Sequence, residues 1–142
     1  MNKTELEEKI KNFFSQFSNY NVTIKEFAQF KNAPYKSLSA YILGTRFPQY
    51  KSYLNIYIIT TTNKTWSEAE EDSSIAMAEF LTAFNREFEK GYTYRQIEAE
   101  TGISHSNLYK YSKHKVDDIA LYNIIALIEY MHLGISIPGL LE

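Results

Sequence analysis

Apolar positions recur along this chain with a helical period almost throughout. Leu6, Ile10, Phe13, Phe14 and Phe17 fall at three- and four-residue intervals. That spacing predicts an amphipathic helix over 5–19, opened by a capping box at Thr4 and Glu7. Residues 19–21 read as a turn. Thr23 and Glu26 form a second capping box, opening a helix to about Lys31, and the run Asn32, Ala33, Pro34 breaks it. A third helix spans 35–43 and ends at Gly44. Pro48 precedes a fourth over 49–61, with Tyr50, Tyr53, Leu54, Tyr57 and Ile58 apolar. Its end, 58–62, is β-branched and poor helix material, compatible also with extended chain. Residues 63–67 read as a linker. Ser67 and Glu70 then suggest a cap, with Asp72 and Ser73 as alternatives. A long helix follows to about Lys90, its apolar stripe formed by Ile75, Met77, Phe80, Leu81, Phe84 and Phe88, and Gly91 ends it.

Residues 93–111 carry the strongest pattern. Thr93 and Gln96 have capping-box spacing, Gly102 can take positive φ and stop the helix, and Ser104 can cap a second one. Ile97, Ile103, Leu108 and Tyr111 are the apolar positions that would pack the pair together. Two short helices joined by a tight turn containing Gly predict a helix-turn-helix, whose second helix is shaped for the DNA major groove.

Gln96-Ile97, then 102–108 (Gly-Ile-Ser-His-Ser-Asn-Leu) and Lys115 resemble the helix-turn-helix of the Cro/cI-type (Xre-like) phage repressor and antitoxin family. Asp117 and the apolar run from Ile119 to Leu133 resemble that family's fourth helix. Residues 134–141 resemble its short closing helix. The resemblance covers roughly residues 75–142. Glu98 stands where the family has a small residue, and His114 where it has Gly. The resemblance implies an all-α, DNA-binding unit. It also implies that the first residues of the second helix, and one residue a turn later, reach base edges.

Sliding the chain by 70 residues exposes a weak repeat. Thr23 falls on Thr93, Phe27 on Ile97, Asn32 on Gly102, Leu38 on Leu108 and Tyr41 on Tyr111. The first copy has Ala28 in place of Glu98 and Gly44 in place of His114. The expected architecture is therefore all-α, with two tandem four- to five-helix, lambda-repressor-like helix-turn-helix units over 1–64 and 65–142.

Composition narrows the function. A chain of 142 residues buries roughly 68% of its unfolded surface, enough for a core without staples. It has no Cys, which excludes disulfides, thiolate zinc sites and a cysteine nucleophile. No apolar run reaches membrane-spanning length and the first residues are acidic, so the expectation is a cytoplasmic protein without membrane contact. The formal net charge is −2. Residues 1–70 hold nine Lys/Arg against six Asp/Glu, and residues 71–142 hold six against eleven. Such a protein binds DNA only where its cations share one face. His105, His114 and His132 have no ligand spacing, and no phosphate loop or nucleophile elbow occurs, so neither an enzyme nor a cofactor is expected. Tyr109 and Tyr111, interleaved with Lys110, could stack on single-stranded bases. A core role for Tyr111 is the plainer reading.

The candidate contacts follow. In the C-terminal unit the resemblance aims His105, Ser106 and Lys110 at bases, with Tyr109 alongside and Ser104, the cap, also among the DNA-binding candidates. Lys110 can donate to guanine, and Ser106 can donate or accept. Thr93 and Tyr94, at the first turn of the preceding helix, suit a phosphate. Lys113 and Lys115 would neutralise phosphates. Ser106 and His105, taken singly, read better as solvated surface. In the N-terminal unit the equivalent places hold Tyr35, Lys36 and Ala40, flanked by Lys31, Arg46 and Lys51. The expected partner is double-stranded DNA, read by a bacterial or phage transcriptional regulator. A homodimer and a protein partner are also open to it, the latter as an antitoxin or nuclease inhibitor.

Overall fold

The computed structural model describes residues 1–19 and 21–142 and is all-helical. The predicted turn at 19–21 includes Tyr20, which lies outside the described residues. In chain order the α-helices are α1 (Lys3–Ser15), α2 (Ile24–Lys31), α3 (Tyr35–Ile42), α4 (Tyr50–Thr61), α5 (Trp66–Phe88), α6 (Tyr94–Thr101), α7 (His105–Ser112) and α8 (Leu121–Met131). The elements repeat in phase. Both α2 and α3 begin and end 70 residues before α6 and α7, and α4 precedes α8 by 70 or 71. The joints repeat as well. Asn32 (φ +55°) and Gly102 (φ +77°) hold left-handed backbone between the paired helices. Gly44 (φ +81°) and His114 (φ +55°) hold it after the second helix of each pair. Even the closing backbone bonds correspond, Thr45 N to Ala40 O and Lys115 N to Lys110 O, both 2.9 Å.

Several starts and ends differ from expectation. α1 opens at Asn2, whose Oδ1 accepts from Glu5 N at 2.8 Å, so Thr4 lies inside the helix. It stops at Ser15 and continues only as a 3-10 turn over Gln16–Asn19. α5 starts earlier than Ser67. Thr65 caps it, with the Glu68 carboxylate reaching back to Thr65 N at 3.0 Å. Asp72 and Ser73 are mid-helix, and Ser73 is buried. Ile75, assigned to the apolar stripe, is 59% exposed, and Ala69 with Ser73 faces inward instead. Residues 134–141 form no closing helix. They turn through a bridge between Ile137 and Leu141, pinned by Tyr53 Oη donating to Pro138 O at 2.6 Å and Lys9 Nζ to Leu140 O at 3.0 Å. A side chain at Gly139 would strike Tyr53 Oη, in addition to straining its φ of +77°.

The doubtful fourth helix is helical to Thr61 because tertiary burial overrides propensity. Tyr50, Tyr53, Leu54, Ile56 and Ile59 are all buried, and the hydroxyls of Thr60, Thr61 and Thr62 bond back to carbonyls of the preceding turn. Buried Asn55 finds no partner for its Oδ1 among the described residues. A tight turn at residues 62–65 folds α4 against α5, and the expected unit boundary at 64/65 falls in it. One apolar core continues across that boundary, from Leu6 and Leu38 through Phe80 and Phe84 to Ile124 and Ile137. The N-terminal ends of α4 and α8 meet across a bridge between Gln49 and Ala120, with Tyr50 N bonding Ile119 O at 2.8 Å.

Candidate nucleic-acid interface

The α6–α7 pair is built as the sequence implies. Thr93 and Gln96 cap α6 reciprocally, with Thr93 N donating to Gln96 Oε1 at 2.9 Å and Gln96 N to Thr93 Oγ1 at 3.1 Å. Ser104 Oγ caps α7 by accepting from Asn107 N. Ile97, Ile103, Leu108 and Tyr111 are buried, which fixes the crossing and leaves the opposite face of α7 to solvent. Burial raises the Tyr111 hydroxyl above its ordinary range, partly offset by the bond from Asn123 Nδ2. That settles Tyr111 as core and removes it from any base-stacking surface.

On the open face of α7 stand His105, Ser106, Tyr109 and Lys110, all exposed, with Lys113 and Lys115 exposed just beyond the helix. The structure brings these together. Lys113 Nζ lies 5.6 Å from the Tyr109 ring centroid, a cation–π contact that gathers charge at the helix end. His105 Nδ1 lies 3.1 Å from Glu98 Oε1, so the residue that departs from the family pattern holds the first side chain of α7. Glu98 is only partly buried, and the helix crossing accommodates it by turning its carboxylate outward to His105. Ser106 Oγ is 3.4 Å from Ser104 Oγ.

Thr93 and Tyr94 sit beside this face but are already engaged. The capping box takes the Thr93 N–H and hydroxyl. Tyr94 stacks on Phe88 at 4.8 Å, and its hydroxyl lies 2.7 Å from Ser112 Oγ. Tyr94 thus acts as a strut between the start of α6 and the end of α7.

The α2–α3 pair repeats the scaffold with different chemistry. Tyr35 and Lys36 are exposed at the start of α3, where Pro34 offers no capping oxygen. Arg46 lies over the Tyr41 ring at 5.1 Å and donates to Tyr41 Oη at 3.2 Å, which presents its guanidinium at the surface. Lys31 is not a flanking surface cation. It is buried, and its ammonium donates to Thr62 O at 2.8 Å and Lys64 O at 3.2 Å, satisfying the end of α4.

Asp118, which no sequence pattern singles out, holds the start of α4. Its Oδ1 accepts from Lys51 N at 2.8 Å and Ile119 N at 2.9 Å, and Oδ2 accepts from Ser52 Oγ at 3.3 Å. A carboxylate from the second half therefore caps α4 of the first and stabilises its positive end. Asp118, Asp117, Lys110 and Lys115 also line one shallow polar depression between α7 and the start of α4, which tempers the positive charge near Lys110. No local pattern could have indicated a cap 67 residues away in sequence.

No protein-family model, no curated protein and no solved structure matches the chain. Among the described residues no helix is long and apolar enough to cross a membrane.

Proposed function

We propose that this chain is a sequence-specific, double-stranded DNA-binding transcriptional regulator of a bacterium or phage, built from two tandem helix-turn-helix units and acting in the cytoplasm. The observation that carries the reading is the open face of α7. His105, Ser106 and Lys110 project from a short helix clamped by Ile97, Ile103 and Leu108, with Lys113 and Lys115 at its end. A rigid helix with donors at its first residues and one turn later, flanked by cations, suits base readout with phosphate grip. The in-phase α2–α3 pair, with Tyr35, Lys36 and Arg46 in corresponding places, supplies a second such helix. Tyr94 supports the end of α7, and the exposed Thr93 caps the helix beside it. Ser104 sets the start of the reading helix.

A selection of genomic DNA fragments by the purified chain tests this. Enrichment of one motif supports it, and a random fragment pool opposes it. A second reading, a protein-interaction module on the same scaffold, is favoured by one observation. Phe30, Leu43 and Phe47 are exposed apolar side chains on the N-terminal half, and DNA has little use for them.

A further inference from the structure

The two halves share a scaffold but differ where their paired helices cross. In the first half Ala28 of α2 is buried there, 2% exposed. Seventy residues on, α6 carries Glu98, and α7 begins with His105 where α3 begins with Tyr35. The scaffold therefore does not require a carboxylate at this crossing, and the first half cannot form the pair that the second half makes. Glu98 Oε1 lies 3.1 Å from His105 Nδ1, and the imidazole is 70% exposed. A contact so open to solvent adds little to stability. Its consequence is chemical. An ionised carboxylate only accepts hydrogen bonds, so Nδ1 carries the proton between them. A neutral imidazole has one such proton, and Nε2, on the other side of the ring, is then an acceptor. Among the described residues none bonds Nε2.

We infer that Glu98 is a positioning residue: it fixes His105 as an acceptor and so directs the first residue of α7 to an exocyclic base amine. The inference rests on the DNA-reading function proposed above and adds to it the group that the helix seeks. In the major groove the donors are N6 of adenine and N4 of cytosine, whereas guanine and thymine edges offer acceptors that oppose the Nε2 lone pair. Lys110, one turn later, is a donor only, so the two side chains demand opposite groups along the groove. The carboxylate also weakens the grip on DNA, since it stands beside a polyanion.

Selection of bound DNA at about pH 8.5, where an imidazole is neutral, tests this beside NMR of the histidine ring nitrogens. Wild-type His105 should show a protonated Nδ1 and a bare Nε2. The motif should hold one position that prefers an amine-bearing base. Replacing that base by its amine-less analogue should lower the affinity of the wild-type chain about tenfold, a test that needs no variant. His105→Ala and Glu98→Ala should each lose preference at that same position and keep the rest, and Glu98→Ala should bind non-specific DNA more tightly. Glu98→Gln keeps the length and removes the charge, and its amide can accept or donate. Preference in that variant should follow whichever tautomer its ring shows. Circular dichroism melts establish that each variant is folded. A wild-type ring protonated at Nε2 overturns the inference. So does a motif that Glu98→Ala leaves unchanged, or a Glu98→Gln preference that ignores the tautomer. A preference erased by Glu98→Ala but not by His105→Ala overturns it too, because the carboxylate would then read the base itself. None of these touches the regulator reading, which fails only if the wild-type chain selects no motif, and in that case this inference falls with it.

Discussion

His114 holds φ +55°, backbone that an L side chain enters at a cost of roughly 1–2 kcal/mol relative to glycine. The first half uses Gly44 at the same place. What holds His114 there is the demand of the chain reversal after α7, aided by the exposed contact to Asn85. His114→Gly should therefore stabilise the fold by about 1 kcal/mol once the lost surface contact is subtracted, read as a raised urea midpoint. A fall in the midpoint would show that the Asn85 latch outweighs the strain. The tyrosines give a second residue-scale expectation. Burial, with the charge of Glu79 adding to it, pushes the Tyr50 hydroxyl up to about 12, and burial pushes Tyr53 up as well. Their folded pKa values lie above the unfolded value of about 10, so the unfolded chain gives up these protons first. Stability is then complete below pH ~10 and falls as pH rises from there through about 12. Urea midpoints taken from pH 8 upward should decline on that limb, and Tyr50→Phe should flatten the decline. An alkaline limb unchanged in Tyr50→Phe would contradict the assignment.

At the scale of elements, what was legible in the sequence was local. The α6–α7 pair shows itself through Thr93, Gln96, Gly102 and Ser104, each of which acts within four residues of its own position, and all four behave as read. Thr4 and Ser67 have cap spacing but lie inside their helices, because Asn2 and Thr65, equally good cap formers, stand two residues upstream. Residues 134–141 resemble a closing helix in sequence but turn instead, because their conformation is set by Tyr53 and Lys9, distant in sequence. On the candidate interface, the exposed side chains of α7 were foreseeable from helical periodicity. The engagement of Tyr94 with Ser112 and the withdrawal of Lys31 into the α4 terminus were not, since both depend on how helices meet. Asp118 is the sharpest case and gives a prediction. Asp118→Ala removes the cap of α4 and should cost about 1–2 kcal/mol, typical of a lost N-cap. Because the core continues across residues 64 and 65, the loss should appear as one cooperative transition. Trp66 fluorescence and far-ultraviolet circular dichroism should report the same lowered midpoint. Two separated transitions would mean that the halves unfold independently.

For the whole molecule the question is how a chain of net charge −2 would hold a polyanion, and which half would read it. The cations offered by the candidate interface are few. Lys110, Lys113 and Lys115 stand by α7, and Lys36 and Arg46 by α3, with Asp117 and Asp118 close to Lys110. If about six phosphates are neutralised, log K should fall against log salt with a slope of about −5. Lys113→Ala or Lys115→Ala should each make that slope shallower by about 1 and weaken all sequences alike. Lys110 is different in kind. It is exposed one turn beyond His105 and Ser106 on the open face of α7, where a base contact would be worth roughly 1–3 kcal/mol of discrimination. Lys110→Ala should flatten preference at one or two base pairs and leave non-specific binding nearly intact. Lys36→Ala puts the same question to α3, whose first turn carries Tyr35 in place of His105. A sequence preference changed only by Lys110→Ala assigns reading to the second half and grip or pairing to the first. A change in both assigns two reading helices in one chain, and a site of two half-sites about one helical turn apart. Selectivity untouched by either substitution, with salt dependence equally unmoved, would remove the regulator reading. The exposed apolar face of the N-terminal half would then be the surface through which the chain acts.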